Sequence, residues 1–260
     1  MPAALPPLAL AYHGVAAVPL RRDPHRLFTS PRALRRHARR LRSYGYRFVT
    51  VGELANRVAA GRAEGCVALS FDDGFDDELA GVLSGLGVPA TVFAVSSWLG
   101  GEHPDFPGAP ILTPSAMRAL HSAGIEIGGH TVTHPDLTTL PPERRLEELA
   151  ACRWQLEEIV DAPVHVAAYP YGASDDATRA ACAAAGYRAA VRVVGPGSWS
   201  NPFDLPRQPM PNGSSMVGLR LKRSGRYQQF VARPLPRTAR RTLKAARGHR
   251  RPAPRSSTST

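Results

Sequence analysis

Residues 66–74 of this 260-residue chain read Cys-Val-Ala-Leu-Ser-Phe-Asp-Asp-Gly, and this stretch decides the fold class. Its first six residues are mostly apolar and follow a glycine, which predicts a buried strand that delivers Asp72 and Asp73 at its end. Adjacent side chains on extended backbone point in opposite directions, so the two acids can hold different roles. One can bind a metal while its neighbour accepts a proton from water, as metal-assisted hydrolysis requires.

A pair of histidines supplies the nitrogen ligands that such a metal would need. His130 and His134 follow the strand-like run Ile125–Ile127 and two glycines. Each cluster has an ordinary explanation when it stands alone, because an Asp-Asp-Gly triplet is typical of a turn and histidines four residues apart are often surface or core residues. Both clusters nevertheless fall at the ends of predicted strands, where α/β folds gather their chemistry.

A third cluster, Tyr169–Gly172, closes another apolar run and by itself indicates a strand-to-helix turn. In this order the three clusters resemble the polysaccharide deacetylase family, carbohydrate esterase family 4. Ser70–Gly74 is similar to the family's first motif, His130–His134 to its second and Tyr169–Gly172 to a variant of its third. The likeness also includes Leu10–Val15 and Gly45–Thr50, so it spans about residues 8 to 210.

The resemblance implies a role for each of these polar residues. Asp73, His130 and His134 would hold a divalent metal ion, with zinc as the expected cofactor. Asp72 would remove a proton from the water that attacks an acetamide carbon, and the backbone N–H of Tyr171 would donate to the developing oxyanion. The implied reaction is hydrolysis of an amide carried by a sugar.

The proton for the leaving amine needs another donor, because this chain lacks the late Leu-x-His motif that usually supplies it in the family. His13 ends the first apolar run, Leu8–Tyr12, so it can lie at the same mouth of a barrel. The chain looks like family branches in which the histidine strand comes first, and we therefore predict that His13 is the general acid. The alternative is a structural histidine that closes the first strand.

The arginine that begins the family's third motif, and that orients the catalytic aspartate, is replaced here by Ala168. Arg207 can fill this role toward Asp72 from a later strand. The alternative is that Arg207 is a solvated surface arginine.

Strand-like runs alternate with helix-like stretches along the chain, which predicts a parallel sheet closed or nearly closed into a barrel. The runs lie near residues 8–12, 47–50, 66–71, 90–95, 125–129, 165–169 and 189–194. Helices are predicted over Pro31–Tyr44 and Pro142–Val160. We expect an α/β protein with a distorted (β/α) barrel of about seven parallel strands, as a single catalytic domain over residues 1–231.

The net charge of +12 comes from the C-terminal part of the chain. Fourteen of the 33 lysines and arginines lie beyond residue 204, leaving nineteen against 21 acids before it. Residues 232–260 are basic and rich in Pro, Arg and Ser, so we expect a disordered tail. It can contact an anionic membrane surface, although a solvated tail without a partner is the alternative. No specific nucleic-acid binding is predicted, because aromatic residues are not interleaved with the basic ones.

The sequence favours a cytoplasmic protein, with the tail as a contact to the inner membrane face. Met1–Val18 has three prolines and no charged start, so it is a poor signal peptide, and no run is long enough for a transmembrane helix. Three cysteines are too few for a disulfide framework.

These observations predict a metal-dependent hydrolase that removes N-acetyl groups from an N-acetylated poly- or oligosaccharide or glycolipid. The alternative is a carbohydrate-binding relative that lost catalysis when the late histidine and the arginine disappeared. The sequence does not distinguish between substrates, and the same ligands accept several divalent ions.

Overall fold

The computed structural model describes residues 5–193, 197–215, 218 and 219, in which strands alternate with helices. The strands are β1 (Leu8–Tyr12), β2 (Arg47–Val49), β3 (Cys66–Phe71), β4 (Thr91–Ala94), β5 (Glu126–Gly129), β6 (Val166–Ala168), β7 (Ala189–Arg192), β8 (Leu205–Pro206) and β9 (Gln208–Pro209). The helices are α1 (Pro31–Ser43), α2 (Val51–Ala59), α3 (Leu79–Leu86), α4 (Pro114–Ser122), α5 (Pro142–Val160) and α6 (Asp176–Ala184).

The sheet forms a nearly closed barrel. Its strands follow the order β8-β7-β6-β5-β4-β3-β1-β9, and β2 pairs with β3 beside this path. The short segment Leu205–Pro209 reaches both edges of the sheet, because β8 pairs with β7 and β9 pairs with β1, each in parallel. Arg207 lies between these two short strands, and its backbone N–H donates to the Arg192 carbonyl at 2.8 Å. We call Leu205–Pro209 the closing segment.

The predicted α/β barrel is confirmed. All seven predicted strands are present as β1–β7, with ends that differ by at most two residues. The predicted helices correspond to α1 and α5, and α1 begins where Ser30 accepts a hydrogen bond from the Ala33 N–H at 3.3 Å. The strands β8 and β9 are additional and contain only two residues each.

The two faces of the barrel strands pack differently. Alternate residues of β1 and β3 pack against the outer helices in the larger core cluster, whereas Ala9, Cys66 and Ala68 belong to a smaller cluster on the opposite face. Ser70 is in register with this second set. Small side chains there leave room for Arg207, which is fully buried with its guanidinium carbon 5.4 Å from the centre of the Phe93 ring.

The basic segment 232–260 lies outside the described residues, so the predicted domain boundary near residue 231 stays a prediction. Within the described part of the chain, none of the helices combines the length and apolar character needed to cross a bilayer.

Candidate metal centre and active site

The carboxyl ends of four barrel strands bring six of the seven predicted site residues to one cavity of about 270 Å³, and Arg207 lies buried behind it. A parallel barrel places the ends of all its strands at one mouth, which is why motifs far apart in sequence meet there. The cavity is lined by His13 after β1, Asp72 and Asp73 after β3, His130 and His134 after β5, and Tyr171 after β6.

Asp73, His130 and His134 form a candidate metal site. One ligand atom from each lies within 4.8 Å of the others, and Asp73 Oδ1 is 3.7 Å from Nε2 of each histidine. Asp73 Oδ1 is buried, and among the described residues no donor reaches it. A buried carboxylate oxygen without a partner is costly, so its position between two imidazoles fits a bound cation.

The protonation of both histidines suits ligation. Nδ1 of His130 lies 2.8 Å from the Ala168 carbonyl oxygen, which can only accept, so Nδ1 carries the proton and the Nε2 lone pair faces the site. Burial, together with the neighbouring His130, lowers the pKa of His134 to about 4, which keeps this imidazole neutral at neutral pH. The three residues therefore offer the donor set of a two-histidine, one-carboxylate centre.

The loop that carries both histidines is held by a buried acid on α5. Glu148 accepts hydrogen bonds from the backbone N–H groups of Val132 and Thr133, both at 2.9 Å, and from the Thr133 hydroxyl at 2.7 Å. The Thr131 hydroxyl accepts from the His134 N–H at 3.0 Å. Glu148 was not found by sequence analysis, because an acid on a long helix resembles a solvated surface position.

Backbone strain is concentrated at the mouth of the barrel. Four non-glycine residues there have positive φ angles, namely Asp73 (72°), Thr131 (69°), His134 (60°) and Tyr171 (57°). This conformation is unfavourable for residues with a Cβ, and it persists only where the surrounding structure imposes it. The four residues belong to the three sequence motifs, which indicates that the turns are shaped for the site.

Asp72 is paired with Arg207 inside the barrel. Nη1 of Arg207 lies 2.6 Å from Asp72 Oδ1 and Nη2 lies 2.8 Å from Oδ2, and Nη1 also donates to the Ser70 hydroxyl at 2.9 Å. Burial raises the pKa of Asp72, but the guanidinium and the nearby His130 and His13 lower it by more, so the net shift is downward. Asp72 is consequently an ionised, oriented carboxylate at neutral pH.

The remaining predicted residues lie around the same cavity. His13 is half-buried in its wall beside the two aspartates. The Tyr171 side chain is 64% exposed at the rim, and its ring meets the His134 ring edge to face at 4.8 Å. The proton-donating role of His13 and the oxyanion role of the Tyr171 N–H stay predictions.

Two aromatic residues of the cavity wall, Trp98 and His103, were missed by sequence analysis. Both come from the segment between β4 and α4. Trp98 lies against His134 with ring centres 5.3 Å apart, and His103 lies 3.5 Å from Asp73. Their segment contains no repeated or periodic pattern that could have indicated these contacts.

The fold is similar to those of solved proteins. The chain matches the deacetylase PplD of Streptococcus pyogenes with a TM-score of 0.72 at 22% identity, over 85% of this chain and 99% of that one. It matches IcaB of Ammonifex degensii with a TM-score of 0.68 at 20% identity, over 85% and 96%. At these identities the likeness concerns the fold.

Sequence relatives point to the same group of proteins. YxkH of Bacillus subtilis, named as a polysaccharide deacetylase, is 28% identical over 195 residues, covering 73% of this chain and 64% of YxkH. A chitooligosaccharide deacetylase of Sinorhizobium fredii is 33% identical over 144 residues, covering 52% of this chain and 60% of the relative. The chain thus spans less than two thirds of these proteins. The family model for polysaccharide deacetylase matches residues 59–190, about half of the sequence, and the chain belongs to the polysaccharide deacetylase family.

Proposed function

We propose that this chain is a metal-dependent hydrolase that removes N-acetyl groups from an N-acetylated poly- or oligosaccharide or glycolipid. The observation that carries the proposal is the convergence of Asp73, His130 and His134 beside a second buried carboxylate, Asp72. The chitooligosaccharide deacetylases among the relatives support an amino-sugar amide as the substrate.

Zinc is the proposed cofactor, held by Asp73, His130 and His134. Two imidazoles and one carboxylate suit this ion and leave room for substrate and water, although other divalent ions accept the same ligands. When bound, the ion would supply a Lewis acid for the acetamide oxygen and make water more acidic.

Asp72 acts as the base in this proposal. Its carboxylate takes a proton from water while the water oxygen attacks the acetamide carbon. The bidentate pair with Arg207 fixes the plane of the carboxylate, so its free lone pairs are directed consistently into the cavity. The backbone N–H of Tyr171 donates to the oxygen on which negative charge develops.

His13 completes the reaction as the proton donor. The C–N bond breaks when the amine nitrogen receives a proton, and His13 supplies it from the wall of the same cavity. The products are acetate and the free amino sugar.

Acetate release from a panel of N-acetylglucosamine oligomers tests this function. Zinc-loaded wild type should release acetate, and Asp72→Asn and His13→Ala should each lose on the order of 10²- to 10⁴-fold in turnover. Metal content measured on the same samples should be equal in all three proteins. Unchanged turnover in His13→Ala would remove that residue from the mechanism while leaving the hydrolase intact.

The alternative function is carbohydrate binding without catalysis. It is favoured if wild type carries stoichiometric metal and binds the oligomers but releases no acetate. The buried pairing of Asp72 with Arg207 supports the enzyme instead, because it holds an ionised, oriented carboxylate beside the proposed metal ligands.

We extend the proposal to the compartment: a cytoplasmic enzyme that the basic segment 232–260 holds at an anionic inner membrane face. Its support is the charge of that segment, worth about 1 kcal/mol per basic residue near such a surface. The full chain should sediment with anionic vesicles at low salt, and a full-length variant with Gln at the arginines beyond residue 232 should not. Equal binding by both would contradict this extension.

A further inference from the structure

His103, which belongs to none of the three sequence motifs, lies against the proposed metal ligand Asp73. Its Nε2 atom is 3.5 Å from Asp73 Oδ2, and both side chains are only 5% exposed. The other oxygen, Oδ1, faces Nε2 of His130 and His134. The two oxygens of one carboxylate are thus directed at two different groups.

The tautomer of His103 is determined by its own backbone surroundings. Nδ1 of the ring accepts a hydrogen bond from the Asp105 N–H at 3.1 Å. A nitrogen that accepts carries a lone pair, so the proton of the neutral imidazole resides on Nε2. The atom that faces Asp73 is therefore a donor.

Aromatic contacts on three sides hold the His103 ring in place. The ring stacks on Phe75 at a centre distance of 5.1 Å with the planes 3° apart. Trp98 and Phe106 meet it edge to face at 4.8 and 5.2 Å. A ring packed in this way has little freedom to rotate, so the direction of its Nε2–H is fixed.

The loop that carries His103 is attached to the turn that carries Asp73. The Leu112 N–H donates to the Gly74 carbonyl at 2.9 Å, and Phe75 pairs with Ile111 in an antiparallel bridge. Within the loop, the His103 N–H donates to the Ala109 carbonyl at 2.9 Å. Donor and acceptor are therefore held in one connected unit.

We propose that His103 is a positioning residue of the metal centre, whose Nε2–H engages Asp73 Oδ2 and keeps Oδ1 directed between His130 and His134. This inference rests on the proposed metal-dependent function. Groups that bond to metal ligands in this way fix ligand orientation, and their loss typically weakens metal binding about 10- to 100-fold.

Metal affinity measured on the full chain tests the assignment. His103→Phe keeps an aromatic ring for stacking but removes the donor, whereas His103→Gln retains an N–H group. The matched control is His165→Phe, because His165 precedes β6 at the opposite end of the barrel. Zn²⁺ dissociation constants are measured by competition with a chromogenic chelator, and Co²⁺ absorption spectra report ligand geometry. Urea unfolding with excess chelator measures the stability of the metal-free protein.

The expected result is an affinity for Zn²⁺ about 10- to 100-fold weaker in His103→Phe. His103→Gln should recover part of the loss, the Co²⁺ spectrum should change in His103→Phe, and His165→Phe should match wild type. An unchanged dissociation constant in His103→Phe would overturn the inference, as would an affinity loss matched by early unfolding of the metal-free variant, which would assign His103 to loop packing. Failure of wild type to bind metal would instead refute the proposed function.

Discussion

Two carboxylates at opposite ends of the barrel, Asp73 buried and Glu126 partly buried, have opposite surroundings. Glu126, at the start of β5, accepts hydrogen bonds from the hydroxyls of Thr91 at 2.7 Å and Thr50 at 3.3 Å, and from the Gly52 N–H at 3.0 Å. Asp73, beyond the end of β3, has one oxygen that no donor among the described residues reaches. Removal from solvent alone therefore does not distinguish the proposed metal ligand from a structural acid, whereas the oxygen without a donor does.

At the end of the barrel that carries Glu126, hydrogen-bond donors surround the carboxylate. The start of α2 approaches so closely that a Cβ on Gly52 would lie 2.3 Å from Glu126 Oε1, so a larger residue there would displace the carboxylate from its donors. Thr91 also accepts a hydrogen bond from the Val51 N–H at 2.9 Å. This acid joins α2 to two strands, which is a structural role.

The largest expected difference between the two acids is in catalysis. Asp73→Asn should lower acetate release by on the order of 10³-fold or more and abolish tight Zn²⁺ binding, because an amide oxygen is a much poorer ligand than a carboxylate. Glu126→Gln should keep turnover within about threefold. Acetate release and metal content of both variants check the contrast, and tight Zn²⁺ binding by Asp73→Asn would break it.

Arg207 forms an ion pair with Asp72 but makes no contact with the neighbouring Asp73 that would occupy its free oxygen. Arg207→Ala should cost about 3–5 kcal/mol of unfolding free energy, because it leaves the Asp72 charge buried without a partner. The double variant Asp72→Asn/Arg207→Ala should recover part of this loss. Urea denaturation measures all three proteins, and an Arg207→Ala chain as stable as wild type would show that Asp72 is solvated.

Glu126→Gln tests the structural role of the acid at the start of β5. The new NH₂ group faces donors, so at least one hydrogen bond is lost, and the expected cost is about 2 kcal/mol of unfolding free energy. The Zn²⁺ dissociation constant should stay within about threefold of wild type. A tenfold weaker metal affinity would mean that the two ends of the barrel are coupled.

A third carboxyl, Asp77, should make the stability of the protein depend on pH. Burial raises the pKa of its carboxyl to about 6, although the N–H groups of Val15 and Leu79 donate to it. Because the folded state binds this proton more tightly, the contribution of Asp77 to stability is full below its unfolded pKa near 4 and is lost as pH rises through 6. Partial exposure of the side chain to solvent reduces this effect. The difference in unfolding free energy between wild type and Asp77→Asn should therefore change by about 1 kcal/mol between pH 4 and pH 7. Chemical denaturation with chelator present measures it, and a difference independent of pH would contradict the shift.

The sequence predicts the barrel and the three motif clusters because each strand is apolar and each cluster ends one. It does not predict β8 and β9, which contain two residues each and include prolines, so no periodic pattern arises. The roles of His103 and Glu148 were not predicted from the sequence, for another reason. Their partners lie in other motifs of the chain, and contacts of this kind leave no local pattern.

The closing segment also determines when the site can be completed during synthesis. Asp72 leaves the ribosome early, but its partner Arg207 follows 135 residues later and is held between strands that pair with both β1 and β7. A nascent chain shorter than about residue 209 can form most of the barrel strands and hold the proposed metal ligands, yet Asp72, the proposed base, remains unpaired. Under the proposed mechanism, catalytic competence is therefore deferred until the closing segment docks, and chains that end before it would lack an oriented base.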